Sequence, residues 1–343
     1  MQKPNAVFLC SPVGFLESIF HVYDEETLAK LEEKVNLPRI QISRDNMDEH
    51  KELLAKADYV FSTWGMPDLT EEEIKTYLPN VKAVVYGAGA GQGCARPFLN
   101  LGSKGFSAWA ANAVPVAEYT VAQIILAGKG FYQGIRMQDR LGKMDGREAF
   151  NHYSHTFPCN YNCKIGILGA GMIGKLVIKM LQAYDMEVLV YDPYVPDAVI
   201  EGLGAKKASL ETIIEECQTV YCPKAKLPAT VGILKYEHFS RMKPNATFIN
   251  TGRGAQVVEA DLIRALQEEP NRTAVLDVTW PEPPVEDSPF WTLPNVFLTP
   301  HIAGSMENER ARMGAFMEQE FSHLIAGEPC NYEVSLKMLE TMA

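Results

Sequence analysis

The sequence predicts an α/β protein with two doubly wound parallel sheets, and three observations carry that prediction. A glycine-rich turn between an apolar strand and a helix lies near the middle of the chain, at residues 169–174. Strand and helix patterns alternate on both sides of that turn, which favours βαβ units. The length of 343 residues exceeds the usual size of a single hydrophobic core, so two domains are expected.

The first hundred residues alternate between short apolar runs and helical patterns. Leu28, Leu31 and Val35 recur at helical spacing, for example. The sequence therefore predicts a small α/β unit of its own in this region. Its predicted strands are 6–10, 40–42, 59–61 and 81–86, and its predicted helices are 25–35, 48–56 and 71–77.

A long apolar helix is predicted from Val114 to about Arg136, with Pro115 in its first turn. A second α/β unit starts at Lys164. No stretch approaches the roughly 20 apolar residues of a membrane span, so no membrane partner is expected. The later predicted strands are 219–222, 246–250, 273–277 and 296–299, and a final helix is predicted at 307–325.

The turn in the middle of the chain has the G-x-G-x-x-G pattern of a dinucleotide site. Gly169 permits the tight turn, Gly171 lets the pyrophosphate approach the backbone, and Gly174 lets the helix pack closely on the sheet. Asp192 ends the next predicted strand about 20 residues further on, where it would accept hydrogen bonds from the adenosine ribose. Its charge would repel a 2′-phosphate, so the predicted cofactor is NAD.

Composition and charge narrow the class of protein. Hydrophobic residues make up 47% and charged residues 22% of the chain, as in ordinary globular proteins. The formal net charge of −11 argues against a nucleic-acid partner or an anionic membrane surface. Seven scattered cysteines and an N-terminus without a signal-peptide pattern predict reduced thiols in the cytoplasm.

Four side chains between the two units, His152, His155, Cys159 and Cys163, have a spacing that metal ligands can have. Pro158 would interrupt a helix through them, and no second C-x₂-C pair follows. We therefore favour a connecting loop, which would pack on a partner subunit, over a zinc site, and predict no metal.

Three side chains that follow successive strand ends are candidates for chemistry: Arg253, Glu282 and His301. Ligands of open α/β sheets bind at the carboxyl ends of the strands, so the three loops can meet over a nicotinamide. Arg253 offers a planar fork that grips a carboxylate. Protonated His301 can donate a proton to a carbonyl oxygen, with Glu282 on its other ring nitrogen favouring the imidazolium.

Together these motifs resemble the D-isomer-specific 2-hydroxyacid dehydrogenase family, whose cofactor is NAD. The resemblance rests on V-A-E at 116–118, the mid-chain turn with Asp192, K-P at 243–244, N-T-G-R-G at 250–254 and T-P-H at 299–301. It implies that Arg253 holds the substrate, that His301 is the acid/base and that Glu282 pairs with His301. It further implies that NAD contacts Gly169, Gly171, Met172, Ile173, Gly174, Asp192, Pro223, Thr251 and Asp277.

The resemblance also implies an unusual order of domains. A Rossmann-like NAD domain, 108–302, would be inserted into a flavodoxin-like substrate domain formed by 1–107 and 303–343. Hinge closure between the two domains would exclude water from the substrate. The family implies a homodimer through the NAD domain and a small 2-oxo or 2-hydroxy acid as substrate.

The glycine loop G-A-G-A-G-Q-G departs from the family pattern, because Gly87 and Gly93 stand where relatives have charged residues. Its free backbone N–H groups predict that Gly89, Ala90 and Gly91 contact a substrate carboxylate. The alternative is a flexible turn without a ligand.

Three further positions stay open. The segment that reads P-L-T in the family carries Lys224 and Lys226 here, and we expect both to face solvent rather than a second substrate anion. Trp64, which follows a predicted strand, fits the cleft and the core equally well.

The sequence therefore predicts an NAD-dependent oxidoreductase that interconverts a 2-oxo acid and a D-2-hydroxy acid. One alternative is an NAD-sensing, corepressor-like binding protein with weak turnover. Another is a family oxidoreductase with a different substrate, such as phosphite. Glu282 argues against the formate branch, which resembles this pattern with Gln beside the His.

Overall fold

The computed structural model describes residues 3–89, 91–141, 146–223 and 228–340. The chain forms two compact units, one of Met1–Asn112 with Ser305–Ala343 and one of Ala113–Gly304. The domain boundaries predicted from the sequence lie a few residues earlier at each crossing. The first crossing lies inside a helix, Trp109–Gly128.

The first unit contains a sheet in which six of the described strands pair in the order β13-β5-β4-β3-β1-β2. Strands β1 to β5 are parallel, and β13 runs antiparallel to β5 at one edge. This is the 2-1-3-4-5 order of flavodoxin-like folds with one strand added.

The strands are β1 Ala6–Leu9, β2 Gln41–Ile42, β3 Tyr59–Ser62, β4 Ala83–Tyr86, β5 Lys104–Ser107 and β13 Glu333–Val334. The helices are α1 Glu25–Glu32, α2 Lys51–Ala55, α3 Glu71–Tyr77, α4 Gln92–Asn100 and α13 Asn308–Ala326.

The second unit contains a parallel sheet of seven described strands in the order β12-β11-β10-β9-β6-β7-β8. Read from β8, this extends the 3-2-1-4-5-6 order of dinucleotide-binding sheets. The strands are β6 Lys164–Ile167, β7 Glu187–Val190, β8 Lys206–Lys207, β9 Thr219–Cys222, β10 Thr247–Asn250, β11 Thr273–Leu276 and β12 Val296–Leu298. The helices are α5 Trp109–Gly128, α6 Phe131–Leu141, α7 Gly146–Tyr153, α8 Met172–Leu181, α9 Asp197–Gly202, α10 Leu210–Glu216, α11 Tyr236–Phe239 and α12 Glu259–Glu268.

Each sheet is covered by apolar side chains on both faces. In β1, Ala6 and Phe8 belong to one buried cluster while Val7 and Leu9 belong to another. Alternation along β9 likewise places Val220 and Tyr221 in different clusters. Because successive side chains of a strand point to opposite faces, each sheet separates two hydrophobic layers. Residues for chemistry are therefore left to the loops at the strand ends.

The single helix predicted from Val114 to about Arg136 is wrong, because the structure has two helices, α5 and α6, in this region. Gly130 lies between them with φ of 65°, and a Cβ there would overlap the ring of Phe157. Glycine thus permits both the left-handed backbone and the close approach of the ring. Because α5 already begins at Trp109, Pro115 lies inside the helix rather than in its first turn.

Helix α5 is also long and apolar enough to span a membrane by length and composition alone. The expectation that no stretch approaches a membrane span is therefore wrong. Half of its apolar window, 50%, is buried inside the structure. Core helices of globular proteins pass the same test, so this one helix is weak evidence for a membrane span.

Candidate active site

The mid-chain glycine turn lies between β6 and α8. Gly169 has φ of 132°, which glycine tolerates best, and Gly171 is the N-cap of the helix. A Cβ on Gly174 would overlap the carbonyl oxygen of Gly169, so the turn and the first helical turn pack backbone against backbone. A Cβ on Gly171 would meet nothing within 4 Å. The turn is therefore closed on its inner side and open at the helix N-terminus, where a pyrophosphate binds in dinucleotide sites.

Asp192 follows β7 and fastens this turn. Its carboxylate accepts the backbone N–H of Ala170 at 2.8 Å, of Tyr194 at 2.8 Å and of Val195 at 3.0 Å. The side chain is 8% exposed. A carboxylate has about four lone-pair directions, so three bonds leave about one for a ribose hydroxyl. The predicted contact of Asp192 with NAD stays a prediction.

Three more residues predicted to contact NAD lie beside the turn. Met172 opens α8 and is 42% exposed, whereas Ile173 is partly buried against the core. Pro223 follows β9, and its Cγ would lie 3.6 Å from a Cβ on Gly174. Lys224 and Lys226 lie outside the described residues.

The loop after β10 carries Arg253 and is held by Asn250. The amide of Asn250 accepts the N–H of Gly252 at 3.0 Å and donates to the carbonyl oxygen of Arg253 at 3.1 Å. A Cβ on Gly254 would overlap the backbone of Thr279, so only glycine lets this loop touch the loop after β11. The two loops that carry Arg253 and Glu282 are thereby brought together.

The Arg253 guanidinium is largely enclosed by protein. Its Nη1 donates to the carbonyl oxygen of Gly252 at 2.8 Å. Burial lowers the pKa of Arg253 below its ordinary value, and the negative charge of Glu282 opposes that shift. An arginine stays charged at neutral pH under such a shift, because its ordinary pKa is so high. Arg253 is thus a half-buried cation suited to a carboxylate.

Thr251, predicted to contact NAD, takes part in a buried hydroxyl network. Its Oγ1 lies 3.0 Å from Oγ1 of Thr120 on α5 and 3.0 Å from the hydroxyl of Tyr221 on β9. Thr251 is 6% exposed. The network holds the Arg253 loop against a helix and a neighbouring strand, which the sequence did not reveal.

His301 and Glu282 form a close side-chain pair. Nδ1 of His301 lies 2.6 Å from Oε1 of Glu282. The His301 side chain is 52% exposed and that of Glu282 is 39% exposed. His301 has φ of 55°, a backbone region that few residues other than glycine adopt. Its N–H donates to the carbonyl oxygens of Thr299, at 2.9 Å, and Asp277, at 3.1 Å.

Asp277 organises the loop that carries His301. One carboxylate oxygen accepts the Thr299 hydroxyl at 2.6 Å and the N–H of Ile302 at 2.9 Å, and the other accepts the N–H of Ala303 at 3.0 Å. Asp277 is 2% exposed. These bonds give the Asp277 carboxylate a positioning role, and its predicted contact with NAD stays a prediction.

Thr299 and Tyr119 belong to the candidate site, and sequence reasoning did not single out either of them. Because the Thr299 hydroxyl donates to Asp277, it accepts the hydroxyl of Tyr119, which lies 3.0 Å away on α5. Burial raises the pKa of Tyr119, and the charge of Asp277 adds to that shift. Tyr119 therefore stays protonated at neutral pH and keeps donating. The one sequence feature that could have pointed to Thr299 is its position directly before Pro300 and His301.

The first unit presents the second glycine loop, after β4. The Ser107 hydroxyl donates to the carbonyl oxygens of Ala88, at 3.2 Å, and Gly89, at 2.5 Å, and Thr63 donates to that of Gly87 at 2.8 Å. Among the described residues, the N–H groups of Gly89 and Gly91 have no hydrogen-bond acceptor. These are the donors predicted to bind a substrate carboxylate. Ala90 lies outside the described residues.

The region with metal-like spacing shows no metal centre in the part of the chain that the structure describes. No group of three or more His, Cys, Asp and Glu side chains there could hold an ion. Cys163 is buried, and Sγ of Cys159 lies 3.7 Å from Nζ of Lys129. All seven cysteines are free thiols. The side chain of His152 is outside what the structure describes.

Residues 127–303 match a family model described as D-isomer specific 2-hydroxyacid dehydrogenase, NAD binding domain. The chain is 33% identical over 223 residues to D-3-phosphoglycerate dehydrogenase of Methanocaldococcus jannaschii, covering 64% of this chain and 40% of that protein. It is 33% identical over 177 residues to the protein of the same name from Archaeoglobus fulgidus, covering 51% and 33%. The chain thus spans less than half the length of these relatives.

A solved structure of a phosphoglycerate oxidoreductase from Rhizobium etli has the same fold. It matches with a TM-score of 0.79 at 20% identity, covering 98% of this chain and 100% of that one. The predicted fold class, family and NAD cofactor are confirmed by these matches. Since the NAD-binding model alone covers more than half of its length, the chain belongs to the D-isomer-specific 2-hydroxyacid dehydrogenase family.

Proposed function

We propose that the protein interconverts a 2-oxo acid and a D-2-hydroxy acid with NAD as the hydride carrier. The observation that carries this proposal is the 2.6 Å contact between Nδ1 of His301 and Oε1 of Glu282. The half-buried cation of Arg253 lies on a loop packed against the Glu282 loop. Acid/base group, carboxylate partner and anion-binding cation are the parts that this reaction needs.

The residues of the glycine turn fit the cofactor. The open space at Gly171, the N-terminus of α8 and the Asp192 carboxylate would hold the pyrophosphate and ribose. When bound, NADH supplies a hydride for the carbonyl carbon of the substrate. Asp192, which is buried and charged, would repel a 2′-phosphate, so we expect NADH to be preferred over NADPH.

In reduction, His301 donates the proton from its second ring nitrogen to the substrate carbonyl oxygen. Glu282 binds Nδ1, fixes the tautomer and stabilises the imidazolium before the proton leaves. Arg253 pairs with the substrate carboxylate and orients the carbonyl group. In oxidation, neutral His301 accepts the hydroxyl proton of the 2-hydroxy acid.

We further propose that the glycine loop of the first unit contacts a substrate carboxylate. The N–H groups of Gly89 and Gly91 would donate to the substrate carboxylate. Binding of a homodimer partner by the second unit and a location in the cytoplasm stay predictions. Light scattering of the purified protein tests the dimer.

The test is consumption of NADH with a panel of 2-oxo acids by the wild type and His301→Ala. We expect turnover with at least one acid and a loss of about 10²- to 10⁴-fold in kcat for the variant, the usual contribution of a general acid. NADH binding, followed by fluorescence, should be unchanged and shows that the variant is folded. No turnover with any 2-oxo acid would defeat the proposal, and efficient use of NADPH would defeat the role of Asp192.

The pH profile is a second measurement on the same reaction. Because reduction requires the proton on His301, the rate of the chemical step should fall as rising pH removes that proton. Oxidation requires neutral His301, so its rate should rise over the same range. A flat profile in both directions would contradict the role of His301.

A further inference from the structure

We infer that Arg310, Phe15 and Trp64 form a subsite for a second anionic group, at the far end of the substrate from its 2-oxo acid group. This inference rests on the proposed function and narrows it to 2-oxo acids whose side chain carries a distal carboxylate or phosphate. All three residues belong to the first unit.

The loops that carry Phe15 and Trp64 lie at the carboxyl ends of neighbouring parallel strands. Phe15 follows β1 and Trp64 follows β3. The thiol of Cys10 donates to the carbonyl oxygen of Trp64 at 2.9 Å, and the N–H of Ser11 donates to that of Gly65 at 2.7 Å. These bonds hold the two loops together at the edge of the sheet where α/β proteins bind ligands.

The same edge carries the glycine loop proposed to bind the substrate carboxylate. Thr63, next to Trp64, donates its hydroxyl to the carbonyl oxygen of Gly87 at 2.8 Å. The aromatic pair therefore borders the loop that presents the N–H of Gly89.

The aromatic pair offers an apolar surface to a ligand. The ring centroids of Phe15 and Trp64 lie 5.4 Å apart with an interplanar angle of 76°, an edge-to-face contact. Trp64 is partly buried, so one part of its ring system packs against the core while the rest stays accessible. Phe15 is 56% exposed, which is unusual for a phenylalanine already ordered by another ring.

Helix α13 places Arg310 over the exposed ring. A Cβ on Gly314 would overlap the carbonyl oxygen of Val22, so the helix lies directly on the segment that follows Phe15. Arg310 is one turn earlier on the same face, and its guanidinium carbon lies 5.8 Å from the Phe15 ring centroid.

The guanidinium of Arg310 has no protein anion as a partner. No carboxylate of the described residues lies within 4.0 Å of it, and its buried Nε has no hydrogen-bond partner among them. Nη1 of Arg312 is likewise buried without a hydrogen-bond partner, so it is the contact with the exposed Phe15 ring that distinguishes Arg310. The nearby acid Glu309 is engaged with the N–H of Met306 at 2.9 Å. A half-buried cation with a buried, unsatisfied donor is costly unless an anion binds it, and a carboxylate or phosphate matches its planar fork.

The test compares two 2-oxo acids with the same number of heavy atoms, 2-oxoglutarate and 5-methyl-2-oxohexanoate. NADH consumption is measured for the wild type, Arg310→Gln and the matched control Arg312→Gln. Arg312 carries the same charge and also a buried donor without a partner, but it points about 200° away around the axis of the same helix and has no ring contact with Phe15. 3-Phosphonooxypyruvate is added to distinguish a phosphate from a carboxylate as the distal group.

We expect the wild type to prefer a dianionic acid and Arg310→Gln to lose about 10- to 100-fold in kcat/KM on it, the range for a hydrogen-bonded charge pair. The value for 5-methyl-2-oxohexanoate should change less than about twofold, and Arg312→Gln should resemble the wild type. Arg310→Lys keeps the charge but not the planar fork, so its kcat/KM on the dianionic acid should lie between those of the wild type and Arg310→Gln. It replaces Arg310→Gln in the comparison if that variant does not fold.

Equal losses of Arg310→Gln on both acids, or a wild-type preference for the neutral acid, would overturn the subsite and leave the proposed function intact. Equal losses in Arg310→Gln and Arg312→Gln would also overturn it, because the losses would then follow from the removal of a positive charge anywhere on the helix rather than from a specific contact. No turnover of any of the three acids, nor of the wider 2-oxo acid panel, would overturn both proposals.

Discussion

The two glycine-rich turns of the molecule follow parallel strands and precede helices, yet they are held in different ways. In the second unit, the backbone of Gly174 lies directly against that of Gly169, and the Asp192 carboxylate fastens the same turn. In the first unit, a Cβ on Gly89 would make only an ordinary contact of 3.5 Å, whereas one on Gly87 would meet side-chain atoms of Tyr23 and Val22 at 2.9 Å. The hydroxyls of Ser107 and Thr63 hold this loop, so its packing depends on side chains rather than on backbone against backbone.

This difference explains which turn carries a recognisable pattern. Backbone packing within a few residues admits only glycine at fixed positions, so the spacing of the glycines is itself informative. A loop held by side chains from other strands accepts more than one sequence. Its role therefore depends on contacts that a glycine count does not reveal.

The largest effect expected is that of Gly174→Ala. The added Cβ would overlap the carbonyl oxygen of Gly169, so the backbone must shift, at a cost of about 1–3 kcal/mol in stability. NADH affinity should fall at least about tenfold, because the turn no longer presents its N–H groups correctly. Urea unfolding and NADH fluorescence measure the two effects.

Gly171→Ala is the matched control for that comparison. Its Cβ would point into open space, so stability should change by less than about 0.5 kcal/mol. NADH affinity should still fall, since the methyl group takes the place of the pyrophosphate. Equal losses of stability in both variants would contradict the distinction between the closed and open sides of the turn.

An intermediate effect is expected for Thr299→Val. The variant keeps the shape of the side chain but removes the hydroxyl that joins Tyr119 to Asp277, which should cost about 1–3 kcal/mol. The kcat for 2-oxo acid reduction should fall while NADH affinity is retained, because the His301 loop is less well positioned. Thr299→Ser keeps the hydroxyl and should resemble the wild type; equal behaviour of the two variants would refute the positioning role.

The smallest effect is expected for Gly89→Ala. Its Cβ would lie 3.5 Å from Nδ2 of Asn112, an ordinary contact, so the unfolding free energy should change by less than about 0.5 kcal/mol. A destabilisation as large as that of Gly174→Ala would show that backbone packing dictates both glycine turns, and the comparison would fail. Thermal or urea unfolding of the two variants side by side decides this.

Sequence reasoning anticipated most of the strands and the order of Arg253, Glu282 and His301 along the chain. It did not anticipate the break between α5 and α6, because apolar periodicity continues across Gly130 and only its contact with Phe157 shows the left-handed turn. It also assigned no helix to residues 92–100, which form α4, and placed Gly93 in the glycine loop. Local patterns are ambiguous wherever glycine, apolar side chains and helix formers share one segment.

The sequence by itself determined the features that depend on neighbours in the chain. The glycine turn, the acid that follows it and the residues after successive strand ends all follow from local sterics and the geometry of parallel sheets. Only the tertiary structure decided the rest. Tyr119 and Thr299 are 180 residues apart, and Phe15 meets Arg310 across most of the chain. Such contacts depend on which elements pack together, and no short-range spacing encodes them.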